Sequence, residues 1–78
     1  MYVITTNHDG DYSVWLYTNR EDAMERAREI VDERNEDICY DNGWDIPDFV
    51  SDDDAMEWHN LHARQGDFID VLPVSIVS

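Results

Sequence analysis

His59 and His62 stand three residues apart, a spacing that brings two imidazoles to one helix face, and with Cys39 or a carboxylate they could complete a zinc site. The rest of a zinc signature is missing, since the chain has no His-Glu-x-x-His and no paired Cys-x-x-Cys. Partial burial beside Trp58 accounts for both histidines, so no metal is expected. Calcium chemistry fails in a similar way. Asn7, Asp9 and Gly10 reproduce part of an EF-hand loop, but Thr5 stands at the first ligand position and Leu16 where the closing Glu belongs. Cys39 lacks the flanking signature of a thiol enzyme, and no glycine-rich phosphate loop is present. The expectation is a protein that is not an enzyme and needs no cofactor. A small metal-dependent or thiol enzyme would require a cleft that joins Cys39, His59 and His62.

Charge is the stronger signal. The 78 residues hold 19 acids against five arginines and no lysine, for a formal net charge of -14. Such a body is repelled by nucleic acid and by anionic membrane and is drawn to cationic surfaces. Nucleic-acid binding would need a basic patch with interleaved aromatics, which this chain lacks. Disorder is excluded by nine aromatic residues and a 42% hydrophobic fraction. Salt adaptation stays open, because the acids are 13 Asp to 6 Glu. The lone Cys39 cannot form an internal disulfide, and the sequence shows neither a secretory signal nor a long apolar span. A cytoplasmic protein with one small domain over residues 1–78 is the expectation.

The elements that place these groups follow from local pattern. Residues 2–6 and 12–17 are rich in β-branched and aromatic types and flank a turn at Asn7 to Asp11, which reads as a β-hairpin. On the second strand Val14 and Leu16 share one face and Trp15 and Tyr17 the other; the reading places Trp15 and Tyr17 on the outer face, either as a second contact surface or homodimer interface or covered by the 37–50 loop. Thr18 and Glu21 match a capping box, and a helix is expected from Asn19 to about Glu36. Ala23, Ala27, Ile30 and Val31 lie on one side of it. Glu21, Glu25, Glu29, Asp32 and Glu36 lie on the other, about 5–6 Å apart. Arg26 and Arg28 flank this stripe, and Arg20 and Arg34 lie nearer the apolar side. Residues 37–50 read as an irregular loop pinned by its aromatics. Ser51 is the expected N-cap of a second helix to about Gln65, with Asp52, Asp53 and Asp54 in its first turn complementing the dipole. Phe68 to Val77 reads as a strand that Pro73 confines to an edge or a bulge. The order β-β-α-α-β predicts an α+β fold, with an antiparallel sheet of about three strands and two helices on one face.

A small acidic α+β domain with an aromatic-rich sheet and no catalytic signature resembles the phage-encoded inhibitors that imitate DNA, among them the anti-CRISPR proteins. The resemblance implies a phage protein acting in a bacterial host by occupying the Lys- and Arg-lined channel or PAM-recognition surface of a CRISPR effector. A type I surveillance complex is the favoured target. From the stripe, the partner-binding residues are Glu21, Glu25, Glu29, Asp32 and Glu36, extended by Asp41, Asp45, Asp48, Asp52, Asp53 and Asp54. The alternatives are a mimic aimed at another DNA-binding protein and an acidic interaction module of a salt-adapted organism. Self-association is expected to be absent or weak, giving a monomer or a weak homodimer. Self-repulsion among the acids predicts that the melting temperature rises between dilute buffer and about 1 M salt, where the Debye length is only about 3 Å. A melting temperature unchanged over that range would contradict it.

Overall fold

Three antiparallel strands and two helices are arranged as β1 (Tyr2–His8), β2 (Asp11–Tyr17), α1 (Arg20–Asn42), α2 (Asp52–His62) and β3 (Phe68–Pro73). The computed structural model describes residues 1–75. The sheet order is β2-β1-β3, so the hairpin's first strand is central and β3 is an edge, where Pro73 is tolerated. The last two residues of the expected strand, Ile76 and Val77, lie outside the described residues. The hairpin turn is tighter than the sequence suggests, because only Asp9 and Gly10 lie outside the strands. Both have positive φ, 54° and 88°, the Asp-Gly geometry whose twist matches paired strands.

Strand register fixes which residues meet the helices. Ile4 lies opposite Trp15 and Val71, and Thr6 opposite Ser13 and Ile69, so these residues share one face. Ile4 and Ile69 are fully buried with Ala23, Ala27, Val31 and Ala55, and Met24 and Met56 complete the core. Both helices therefore cover that one face. Trp15 and Tyr17 are partly buried against the core, whereas Val14 and Leu16 are exposed on the outer face. The expected assignment of the β2 faces is thus reversed. Alternation along one strand defines two faces without saying which is inner. Pairing with Ile4 decides it.

α1 is longer than expected, running to Asn42 where the sequence reading stopped near Glu36. Nothing before Gly43 breaks it. Asn35 and Cys39 continue the buried line of Val31 at steps of four, and Gly43 closes the helix in the left-handed region at φ 69°, its N–H reaching the carbonyls of Cys39 and Tyr40. Residues 37–42 are consequently helix, not loop. The N-cap is Asn19 in place of Thr18: Asn19 Oδ1 accepts the Asp22 N–H at 2.8 Å, and Asn19 Nδ2 donates to Asp22 Oδ2 at 3.0 Å. Ser51 caps α2 as expected, its Oγ accepting the Asp54 N–H at 3.1 Å. α2 ends at His62, short of Gln65, because Ala63 is already extended. Gly66 instead serves the turn before β3, with φ 94°.

The connection between the helices is held by aromatics, as expected. Phe49 packs on the core and against Trp58 at 5.9 Å between ring centres, and Trp44 meets Trp58 edge-on at 6.5 Å. Inside, Asn35 Nδ2 donates to the Ala55 carbonyl at 3.2 Å and ties α1 to α2 through a buried polar link. We expect Ile4→Val to lower unfolding free energy by about 0.5–1.5 kcal/mol, the usual cost of one buried methyl group. Urea denaturation reads this directly, and a change below about 0.3 kcal/mol would place Ile4 outside the core.

Candidate partner-binding surface

The apolar side of α1 is committed to the sheet and to α2, which turns its remaining circumference to water. Glu21, Glu25, Glu29, Asp32 and Glu36 are all exposed there. Asp22 and Glu33 belong to the same surface but escape a stripe defined by one line of residues. The helical period places them beside Glu29 and Glu36, and both are exposed. α1 spans about 34 Å at 1.5 Å per residue, close to the axial length of one turn of duplex DNA.

Asp52, Asp53 and Asp54 occupy the first turn of α2, with Asp45 and Asp48 on the segment before it. Two arginines connect this group to α1. Arg28 Nε meets Asp32 Oδ1 at 2.7 Å, its Nη1 meets Asp52 Oδ1 at 3.1 Å, and Arg20 lies 3.6 Å from Asp53. Hydrogen bonding to Asp32, then to Asp52, holds the Arg28 guanidinium above its ordinary pKa despite some loss of solvent. Fifteen of the nineteen acids lie on the two helices and the segment joining them.

Two expectations need correction. The arginines expected to flank the stripe reach into it, Arg26 onto Glu29 at 3.0 Å and Arg28 onto Asp32 at 2.7 Å. Flanking guanidinium groups on long stems reach acids three and four residues ahead, a reach that side-chain direction on a helix permits. Glu21, Glu25, Glu36, Asp45, Asp48 and Asp54 have no ion-pair partner among the described residues. Asp41 lies away from the stripe, on a cleft that it shares with His8, Asp37, Arg34, His59, Arg64 and Asp67.

That cleft, of about 270 Å³, brings Arg34 and Arg64 together with His8 and His59. Arg64 pairs with Asp9 at 3.1 Å, and Asp67 accepts the Asp9 N–H at 3.0 Å while lying 3.6 Å from His8. Arg34 donates to Thr6 Oγ1 and has no carboxylate within ion-pair distance among the described residues; burial lowers its pKa. His59 is buried, and its protonation can be deduced. Asn60 Oδ1 accepts the Ile69 N–H and Asn60 Nδ2 donates to the Ile69 carbonyl, both at 3.0 Å, which fixes the amide orientation. His59 Nδ1, 3.0 Å from that same Oδ1, must therefore carry the proton. Burial holds the His59 pKa below its usual 6.5, ahead of the opposing hydrogen bond to Asn60.

The cleft that holds His59 is lined by neither Cys39 nor His62, the residues an enzyme reading would join to it. Cys39 is buried in α1, and His62 stacks on Trp58 at 4.2 Å between ring centres. No group of three or more His, Cys, Asp or Glu side chains suited to a metal ion occurs among the described residues. Among those residues no helix is long and apolar enough to cross a membrane. No family model, curated protein or solved structure matches the chain.

A neutral His59 makes stability depend on pH with a definite sign. Between the folded pKa and about 6.5 the unfolded chain binds a proton that the folded chain refuses, so this contribution is complete above about pH 6.5 and is lost as pH falls through the folded value. We expect the melting temperature to decline from pH 7.5 to 5.5, and to decline less steeply in His59→Gln. Equal slopes in the two proteins would show that His59 is not held neutral.

Proposed function

We propose that the protein is a non-enzymatic inhibitor that presents a carboxylate surface to the Lys- and Arg-lined DNA-binding groove of another protein and so excludes DNA. The observation that carries this reading is the one-sided row Glu21, Glu25, Glu29, Asp32 and Glu36, which covers about 22 Å of α1, roughly two thirds of a duplex turn. A cationic groove meets phosphates at regular intervals on DNA, and Glu21, Glu25, Glu29, Asp32 and Glu36 offer carboxylates at intervals of three or four residues. The C-terminal end of α1 reinforces them. Its last turn has no basic residue, so the negative end of the helix dipole adds to Asp45 just beyond it.

The target class we favour is a CRISPR effector, with a type I surveillance complex first, whose DNA channel selects for backbone charge and shape. Another DNA-binding protein with a groove of similar charge fits the same surface. The existing ion pairs modulate the fit. Glu29, Asp32, Asp52 and Asp53 already hold arginines at exposed sites, where such pairs contribute little and exchange readily. Glu21, Glu25 and Glu36 meet a partner without breaking a contact.

A second reading, an acidic interaction module of a salt-adapted organism, draws on the 13 Asp to 6 Glu ratio and the absence of lysine. It predicts a fold that needs molar salt, whereas simple relief of self-repulsion saturates once the Debye length is a few ångströms.

Competition with labelled duplex for a type I surveillance complex tests the proposal. The protein should displace DNA, with an effect that weakens as ionic strength rises. The combined variant Glu21→Gln, Glu25→Gln, Glu36→Gln should lose at least about tenfold in potency, only 1.4 kcal/mol over three contacts, while its circular dichroism is unchanged. A variant that competes as well as the parent would remove the acidic surface from the contact, and no displacement at all would remove this target.

A further inference from the structure

We propose that the outer face of the sheet is a self-association surface, on which a second copy of this chain packs sheet against sheet. Nine side chains point outward by register: Val3, Thr5 and Asn7 on β1, Tyr12, Val14 and Leu16 on β2, and Phe68, Asp70 and Leu72 on β3. Only Asp70 is charged, in a chain where about one residue in four is an acid. Tyr12, Val14, Leu16 and Leu72 are 75%, 64%, 65% and 48% exposed. Val3, Leu16 and Leu72 form one continuous row across all three strands. Tyr12 and Phe68 close the far end edge to face, 6.4 Å between ring centres, over the buried Asn7. At the four exposed apolar positions, Tyr12, Val14, Leu16 and Leu72, a polar side chain would give up little burial in the isolated fold, so the apolar choice points to a cover.

Charge selects the occupant. Two bodies of formal charge -14 cannot approach helix to helix, but their outer sheet faces bring together one carboxylate each. Packed sheets lie about 10 Å apart, with the helical layers on the far sides of both. The two acidic surfaces are then separated by well over the Debye length of about 8 Å at physiological ionic strength. A basic partner, by contrast, is drawn to the helices. Asp70 lies on edge strand β3, from which its carboxylate can reach water at the rim of the interface.

The size of the face sets the strength of the contact. Nine outward residues a side fall short of the roughly 20–30 that a standard stable interface uses. The dimer is therefore weak and dependent on concentration and salt. It leaves both acidic helical surfaces free, facing opposite directions.

Sedimentation equilibrium of the full chain in low and high salt tests this. We expect mass to rise from that of a 9.2 kDa monomer toward twice that value as protein concentration and salt increase. Leu16→Glu should weaken the dimer at least about tenfold and Asp70→Leu should tighten it by a similar factor, on the scale of 1.4 kcal/mol per tenfold. Circular dichroism checks that Leu16→Glu is folded, and the opposite response of Asp70→Leu does not depend on a destabilising change. A mass that stays monomeric at every salt and concentration would overturn the proposal, whether the face is then bare or reserved for an unrelated partner. Open-ended growth, or a dimer indifferent to both substitutions, would equally overturn it.

Discussion

The structure depends on keeping nineteen carboxylates apart from a core that can accept none of them. Each carboxylate must stay hydrated or paired, and there are only five arginines to pair with. The fold meets this constraint by segregation. One side of α1 carries Ala23, Ala27, Val31, Asn35 and Cys39 into the interior, and its opposite side is almost continuously acidic. Ala23 and Ala27, both fully buried, are small enough to let α1 approach the sheet. The long helix can bear like charges at steps of three and four because tertiary burial, and not pairing along its own surface, holds it in place.

The arginines are distributed to serve that arrangement. Arg28 joins Asp32 of α1 to Asp52, and Arg20 at the start of α1 reaches Asp53, in the first turn of α2 where three aspartates stand in sequence. Arg28 also lies over the Phe49 ring at 5.8 Å, which couples the ionic contact to the aromatic anchor of the connecting segment. Arg64 steadies the hairpin turn through Asp9, and Asp67 accepts from the same turn's backbone. Arg34 alone is directed inward to a hydroxyl, beside a neutral histidine. Arg26 lies on the outer surface with Glu29, and five arginines offset the acids only in part, which leaves the outer helical surface with a net negative charge.

Much of this was legible in the residues. Alternation, turn chemistry and caps were enough for the β-β-α-α-β order, for the Ser51 cap and for an edge strand containing Pro73. The acidic stripe follows from period alone and is exposed as expected. What the sequence could not reveal has physical causes. A strand with apolar residues on both faces, Val14 and Leu16 against Trp15 and Tyr17, does not declare its inner side, because size and aromaticity suit burial and contact surfaces equally. The extension of α1 through Cys39 was hidden by Asp37, Tyr40 and Asp41, whose polarity and bulk read as loop when tertiary contacts are unknown. The arginine pairs within the stripe depend on rotamers, which spacing permits but does not choose. The buried tautomer of His59 arises from Asn60 and Ile69 together, a contact that local sequence does not announce.

Segregation of charge is the claim on which the functional proposal and the self-association proposal both rest, and it can be measured residue by residue. Amide relaxation enhancement by a cationic and by an anionic paramagnetic cosolute, compared at each position, reports the local electrostatic potential near that amide. The account predicts the most negative values along the outer side of α1 from Glu21 to Glu36 and at Asp52 to Asp54, with markedly weaker values at Val3, Val14 and Leu16. A potential of similar depth over the sheet face and the helical face would contradict it.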